Sequence, residues 1–124
     1  MFYVDRAEQS GGPVLEYGCG NGRILIPTAR AGIEITGVDL SDTMLADLER
    51  RLADEPRDVR ARVTVKKGDM RSLALRKKFA LVTCPFNAFL HLYERSDIER
   101  FLARVKAHLA PKGRFLFDIS VPDA

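Results

Sequence analysis

A cluster of glycines between the first apolar run and the first helical segment constrains this chain more than any other feature. Glu16-Tyr17-Gly18-Cys19-Gly20-Asn21-Gly22 follows directly on Val14-Leu15. A strand that enters a glycine turn and leaves it as a helix is the opening unit of a doubly wound sheet, which binds ligands at the carboxyl ends of its strands. Glycine lets the backbone turn sharply and come close to a ligand that any side chain would hold away.

The same alternation continues along the chain. Residues 23–31 predict a helix closed by Gly32, with Pro27 either kinking it or sitting near its first turn. Residues 34–39 give a second strand. Ser41 is suited to cap the next helix, in which Met44, Leu45, Leu48 and Leu52 recur at helical spacing until Pro56 stops it. Residues 62–67 alternate apolar and polar as a third strand ending at Gly68-Asp69, and the continuously apolar 79–84 reads as a central fourth. Ser96-Asp97-Ile98-Glu99 has the form of a capping box, with Ile98, Phe101, Leu102, Val105 and Leu109 as the buried stripe behind it. Pro111-Lys112-Gly113 predicts a turn, and 114–119 a fifth strand. Strands alternating with helices imply right-handed crossovers, hence a mostly parallel sheet in a three-layer α/β/α fold occupying 1–124 as one domain.

Composition removes other classes. At 124 residues a domain buries roughly 65–70% of its extended-chain surface, so neither disulfides nor a metal is needed for stability. Cys19 and Cys84 fit no metal-ligand or redox spacing, which favours a reducing, cytoplasmic compartment. No apolar run approaches the roughly 20 residues of a membrane span, and the start lacks a secretory signal. The net charge of +3 comes from 20 basic against 17 acidic residues. Its densest basic stretch, 57–78, has no aromatic residue for bases to stack on, so nucleic acid is not the expected partner.

Three acids close three successive strands. Glu16 lies just before the first glycine, Asp39 ends the second strand and Asp69 the third. Arg23 stands where a dinucleotide fingerprint would place its third glycine, and an acid at 16 suits a cationic ligand rather than a pyrophosphate. Both points weigh against an NAD-binding oxidoreductase, which stays as a distant alternative. A carboxylate at 39 can accept both hydroxyls of a ribose, and one at 69 can accept from an exocyclic amine.

Four segments in this order resemble the class I S-adenosylmethionine-dependent methyltransferases: 14–23 with its ExGCGxG pattern, Gly37-Val38-Asp39-Leu40-Ser41-Asp42-Thr43-Met44-Leu45, Gly68-Asp69-Met70, and 109–114. The resemblance covers about 12–120 and implies S-adenosylmethionine as cofactor, with S-adenosylhomocysteine as product. It implies that Gly18, Cys19, Gly20, Asn21 and Gly22 pass close to the methionine part of the cofactor and that Glu16 is oriented toward its ammonium. Asp39 would bind the ribose, Leu40 and Met44 would pack near the adenine, and Asp69 would accept the adenine amine with the Met70 backbone at a ring nitrogen. Phe86 would approach the sulfonium. Ala80 departs from the family, which often has an acid there, at a position that is not a cofactor ligand in most members.

Methyl transfer by in-line displacement makes a dedicated base optional, because the cofactor carries the reactive group and the protein supplies orientation. His91 either takes a proton from the acceptor or packs beside Leu90 and Leu92. Enzymes that methylate planar amines in DNA or on glutamine often carry Asn-Pro-Pro-Tyr after the fourth strand. Thr83-Cys84-Pro85-Phe86 lacks that signature, so a small-molecule acceptor is expected. A catalytically inactive cofactor-binding domain or partner subunit is the alternative from another class. The family's sheet has seven strands, of which only five fit here. The resemblance therefore predicts that the strand 6–7 hairpin is missing, and that either a further C-terminal segment or a second chain in a homodimer covers the apolar fifth strand.

Overall fold

Val14-Leu15-Glu16-Tyr17 offers no side chain to water on either face, so it has to be covered on both. In the computed structural model, which describes residues 2–84 and 95–117, this run is β1 (Val14–Tyr17), buried at every position and central in the sheet. β2 (Ile35–Asp39) pairs with it in parallel on one side and β4 (Phe79–Cys84) on the other. β3 (Val63–Lys67) extends the sheet beyond β2, and β5 (Leu109–Phe117) beyond β4, giving the order β3-β2-β1-β4-β5 with all pairs parallel. The chain reverses its direction of winding between β1 and β4, which opens a crevice beyond their carboxyl ends.

Successive side chains of a strand face opposite sides, and the core is accordingly split in two. On one face Val14, Ile35 and Leu81 pack with Leu25, Ile26 and Ala29 of α2 (Leu25–Arg30) and with Leu45, Leu48 and Leu52 of α3 (Asp42–Ala53). On the other, Leu15, Tyr17, Val82 and Cys84 pack with Phe101 and Val105 of α5 (Arg95–His108). This is the expected three-layer arrangement.

Local chemistry explains most of the boundaries. Pro27 is the third residue of α2, in the first turn, where the N–H it lacks would have no intrahelical partner. Ser41 caps α3 by accepting from the Met44 N–H at 3.2 Å. Two helices were not predicted: α1 (Phe2–Ser10), which buries Tyr3 and Ala7 one turn apart, and α4 (Arg57–Ala61), which buries Val59.

Three expectations are corrected near the C-terminus. α5 already includes Arg95, so Ser96 lies inside its first turn and does not cap it. Leu102 is 47% exposed, whereas His108 is buried and Leu109 has left the helix for β5. The segment 111–113 does not separate helix from strand; it is an irregularity within β5, where register passes from Phe79 opposite Leu109 to Leu81 opposite Arg114. Lys112 takes φ +72° there. A Cβ at Gly113 would stand 2.9 Å from the carbonyl oxygens of both Ala110 and Phe79, so this irregularity requires glycine. Among the described residues β5 is an edge strand, and its Phe115 and Leu116 are half-buried against the two cores.

Candidate functional site

The loop after β1 is fixed to β2 by backbone alone before any side chain is considered. The N–H groups of Gly18 and Cys19 both donate to the Val38 carbonyl, at 2.7 and 3.0 Å. Gly18 and Gly20 adopt φ values of +69° and +57°, a region that favours glycine. Asp39 then locks the turn: its Oδ2 accepts from the Gly20 N–H at 2.8 Å and its Oδ1 from the Ser41 N–H at 2.9 Å. Gly37, beneath the loop, leaves room for Cys19 and Leu25; a Cβ there would lie 2.8 Å from Cys19 Sγ and would collide with Leu25 Cδ1.

These elements enclose a cavity of about 700 Å³ at the carboxyl ends of β1, β2 and β3. Glu16, Gly18, Cys19, Gly20, Asn21, Asp39, Leu40, Met44, Asp69 and Met70 all line it. Gly22 does not. Its φ is +95°, and a Cβ would meet Leu48 Cδ1 at 2.5 Å and Ile26 Cδ1 at 3.0 Å, so its small size serves the packing of α2 on α3. Phe86 and His91 fall outside the described residues. Arg23, Ser41 and Arg71 also line the cavity and were not singled out from the sequence as site residues.

The three acids differ in electrostatics. Glu16 is 1% exposed, and its Oε1 has no hydrogen-bond partner among the described residues. Burial pushes its pKa up to about 8; the charge of Arg23 works against that rise and the charge of Asp39 adds to it. Asp39 is half-buried, with each oxygen holding one backbone N–H and keeping capacity for another donor. Asp69 is tied to Arg71, whose guanidinium and backbone N–H hold its carboxyl below the usual range.

Around the acids, Leu40 and Met44 are 56% and 42% exposed, an unusual exposure for apolar side chains that gives the cavity a greasy lip. Asn21 donates to Asp47 Oδ2 at 3.1 Å and so pins the glycine loop to α3. Cys19 and Cys84 are buried thiols whose pKa burial raises, Cys84 to about 12, which disfavours the reactive thiolate at both. Among the described residues no group of three or more His, Cys, Asp or Glu is placed to hold a metal ion, and no helix is long and apolar enough to cross a membrane.

A family model described as a methyltransferase domain matches residues 14–113. The dTDP-3-amino-3,6-dideoxy-alpha-D-glucopyranose N,N-dimethyltransferase of Streptomyces fradiae is 32% identical over 110 residues, covering 89% of this chain and 40% of that protein. The glycopeptide N-methyltransferase MtfA, solved in complex with S-adenosyl-L-methionine, superposes with a TM-score of 0.85 at 39% identity, covering 94% of this chain and 52% of that one. CalS10, an amino pentose methyltransferase from Micromonospora echinaspora solved with the same molecule bound, gives 0.77 at 31% identity over 96% and 49%. The chain thus spans about half the length of these proteins or less.

Proposed function

We propose, from the premise that this chain belongs to the methyltransferase domain family, that it binds S-adenosylmethionine in the cavity beyond β1, β2 and β3 and takes part in methyl transfer to a small-molecule amine. The observation that carries this reading is Glu16: a buried carboxyl with one oxygen unpartnered among the described residues, beside a loop whose glycines admit close approach. An orphaned buried acceptor is costly to a fold and is expected where a ligand supplies the missing donor. A cationic ammonium suits it.

The remaining residues fit the other parts of the same molecule. Among the described residues each Asp39 oxygen holds one backbone N–H, which leaves an acceptor position on each for the two ribose hydroxyls. Leu40 and Met44 present apolar surface for the flat adenine, and Asp69 with the Met70 backbone addresses its polar edge. Arg23 is exposed at the cavity and is the counter-charge for a carboxylate next to the ammonium that Glu16 holds. The cofactor, when bound, supplies a methyl group already activated on a sulfonium. What this chain has to add is orientation, and holding reactants in line can lower a barrier by about 7–11 kcal/mol without a general base. The choice of an amine follows two relatives, whose names give a dTDP-amino sugar and a glycopeptide as the N-methylated molecules.

The test is incubation of the protein with methyl-labelled S-adenosylmethionine and a panel of amino-sugar nucleotides and glycopeptides, alongside hydroxyl and carboxylate acceptors. Label on an amine is the expected result. Label only on oxygen overturns the choice of acceptor, and binding without transfer to any acceptor favours an inactive cofactor-binding domain.

A further inference from the structure

Asp69 does not stand alone at the adenine end of the cavity. Arg71 Nε donates to both of its oxygens, at 2.9 Å to Oδ1 and 3.2 Å to Oδ2, and Arg71 Nη2 donates to Oδ2 at 2.6 Å. The Arg71 N–H adds a bond to Oδ1 at 2.8 Å, closing the two-residue turn typical of aspartate. The third guanidinium nitrogen, Nη1, reaches Asp97 Oδ1 at 3.2 Å in the first turn of α5. Arg71 is therefore anchored at both ends, between a loop and a helix that are far apart in sequence. The accounting at Asp69 is tight. Nε carries a single N–H, closer to Oδ1 than to Oδ2, so three N–H groups meet the four acceptor positions of the carboxylate and the position left over is on Oδ2.

We propose that Arg71 is a positioning residue for base recognition: by fixing both oxygens of Asp69, and by being fixed itself through Asp97, it aims the one remaining lone pair of Oδ2 at the exocyclic amine of a purine. The inference rests on the cofactor reading given above and extends it to a specificity device. A planar fork can hold a carboxylate in one orientation, whereas an ammonium is a point charge that leaves it free to rotate.

The experiment compares two ligands on the full chain: S-adenosylhomocysteine, and its analogue whose base is unsubstituted purine and lacks the amine. Wild type is expected to prefer the amine-bearing ligand by about tenfold, the size of a hydrogen bond to a charged group. Arg71→Ala and Arg71→Lys are expected to lose most of that preference by weakening S-adenosylhomocysteine alone, with the purine analogue changed less than about twofold. Combining Arg71→Ala with Asp69→Asn is expected to add little to either change, as for two residues acting as one unit. Asp97→Asn leaves the Asp69 pair in place and is expected to give a smaller loss of the same kind, a readout that survives if the Arg71 variants fold poorly.

A variant at 71 that weakens both ligands alike, or neither, overturns the inference while leaving the cofactor reading intact. Wild-type protein that binds neither ligand overturns both.

Discussion

The backbone N–H of Gly20 points into Asp39 Oδ2 at 2.8 Å, so the residue that ends β2 also sets the shape of the loop after β1. Asp39 is thus both a ligand candidate and a structural bolt. Asp39→Asn keeps one oxygen acceptor and is expected to retain the fold while binding S-adenosylhomocysteine about tenfold to a hundredfold more weakly, since each lost hydrogen bond to a charged group counts for about 1.5–3 kcal/mol. Asp39→Ala is expected to lower the melting temperature as well. Titration calorimetry and thermal melting on both variants separate the two roles.

Gly37→Ala tests the packing under the loop at a position that does not itself line the cavity. The new methyl group would press on Leu25 Cδ1 and Cys19 Sγ, and overpacking of this kind costs about 1–3 kcal/mol. Chemical denaturation should show that loss.

Glu16 gives the apo protein a characteristic pH dependence. Its folded pKa, pushed up to about 8 by burial, lies above the ordinary carboxylate value near 4.5. The folded state therefore keeps a proton that the unfolded chain releases, and stability falls as pH rises from about 4.5 to about 8. Glu16→Gln is expected to flatten this slope in a pH series of denaturation curves. Cation binding at an acid that starts protonated should release a proton near neutral pH, visible as a buffer-dependent binding enthalpy.

His108 acts in the opposite sense. The Leu75 N–H donates to its Nε2 at 2.9 Å, so the ring proton is assigned to Nδ1, which faces Tyr17 Oη at 2.7 Å. Burial holds its pKa below the ordinary histidine value, against a smaller raising effect from the Arg104 backbone. The unfolded chain then takes up a proton first, and stability is lost as pH falls below about 6.5. His108→Ala strands the Leu75 N–H and the Tyr17 hydroxyl and is expected to cost about 1–3 kcal/mol, measured by urea denaturation.

β1 and β4 were legible because buried parallel strands are written as nearly continuous apolar runs, β3 by its alternation, and the loop by the glycines that follow β1 directly. Of the three acids only Asp39 ends a strand, Glu16 lying inside β1 and Asp69 two residues beyond β3. What escaped the sequence has physical reasons. α1 buries only Tyr3 and Ala7, and α4 only Val59, too few apolar positions to mark a period. Gly22 is spelled like Gly18 and Gly20 but is small for the sake of two helices, a distinction that depends on neighbours distant in sequence. His108 reads as polar and is buried because two partners satisfy its ring. The pairing of Asp69 with Arg71 depends on a turn whose geometry composition does not reveal.

The acids and glycines beyond β1, β2 and β3 are proposed as one site for S-adenosylmethionine. Calorimetric titration of the 124-residue chain with S-adenosylhomocysteine and, in parallel, with NADH tests it most directly. Saturable binding of S-adenosylhomocysteine at one site per chain, lost in Asp39→Ala and absent for NADH, is the predicted result. Tight NADH binding with no heat from S-adenosylhomocysteine would instead make the cavity a dinucleotide site.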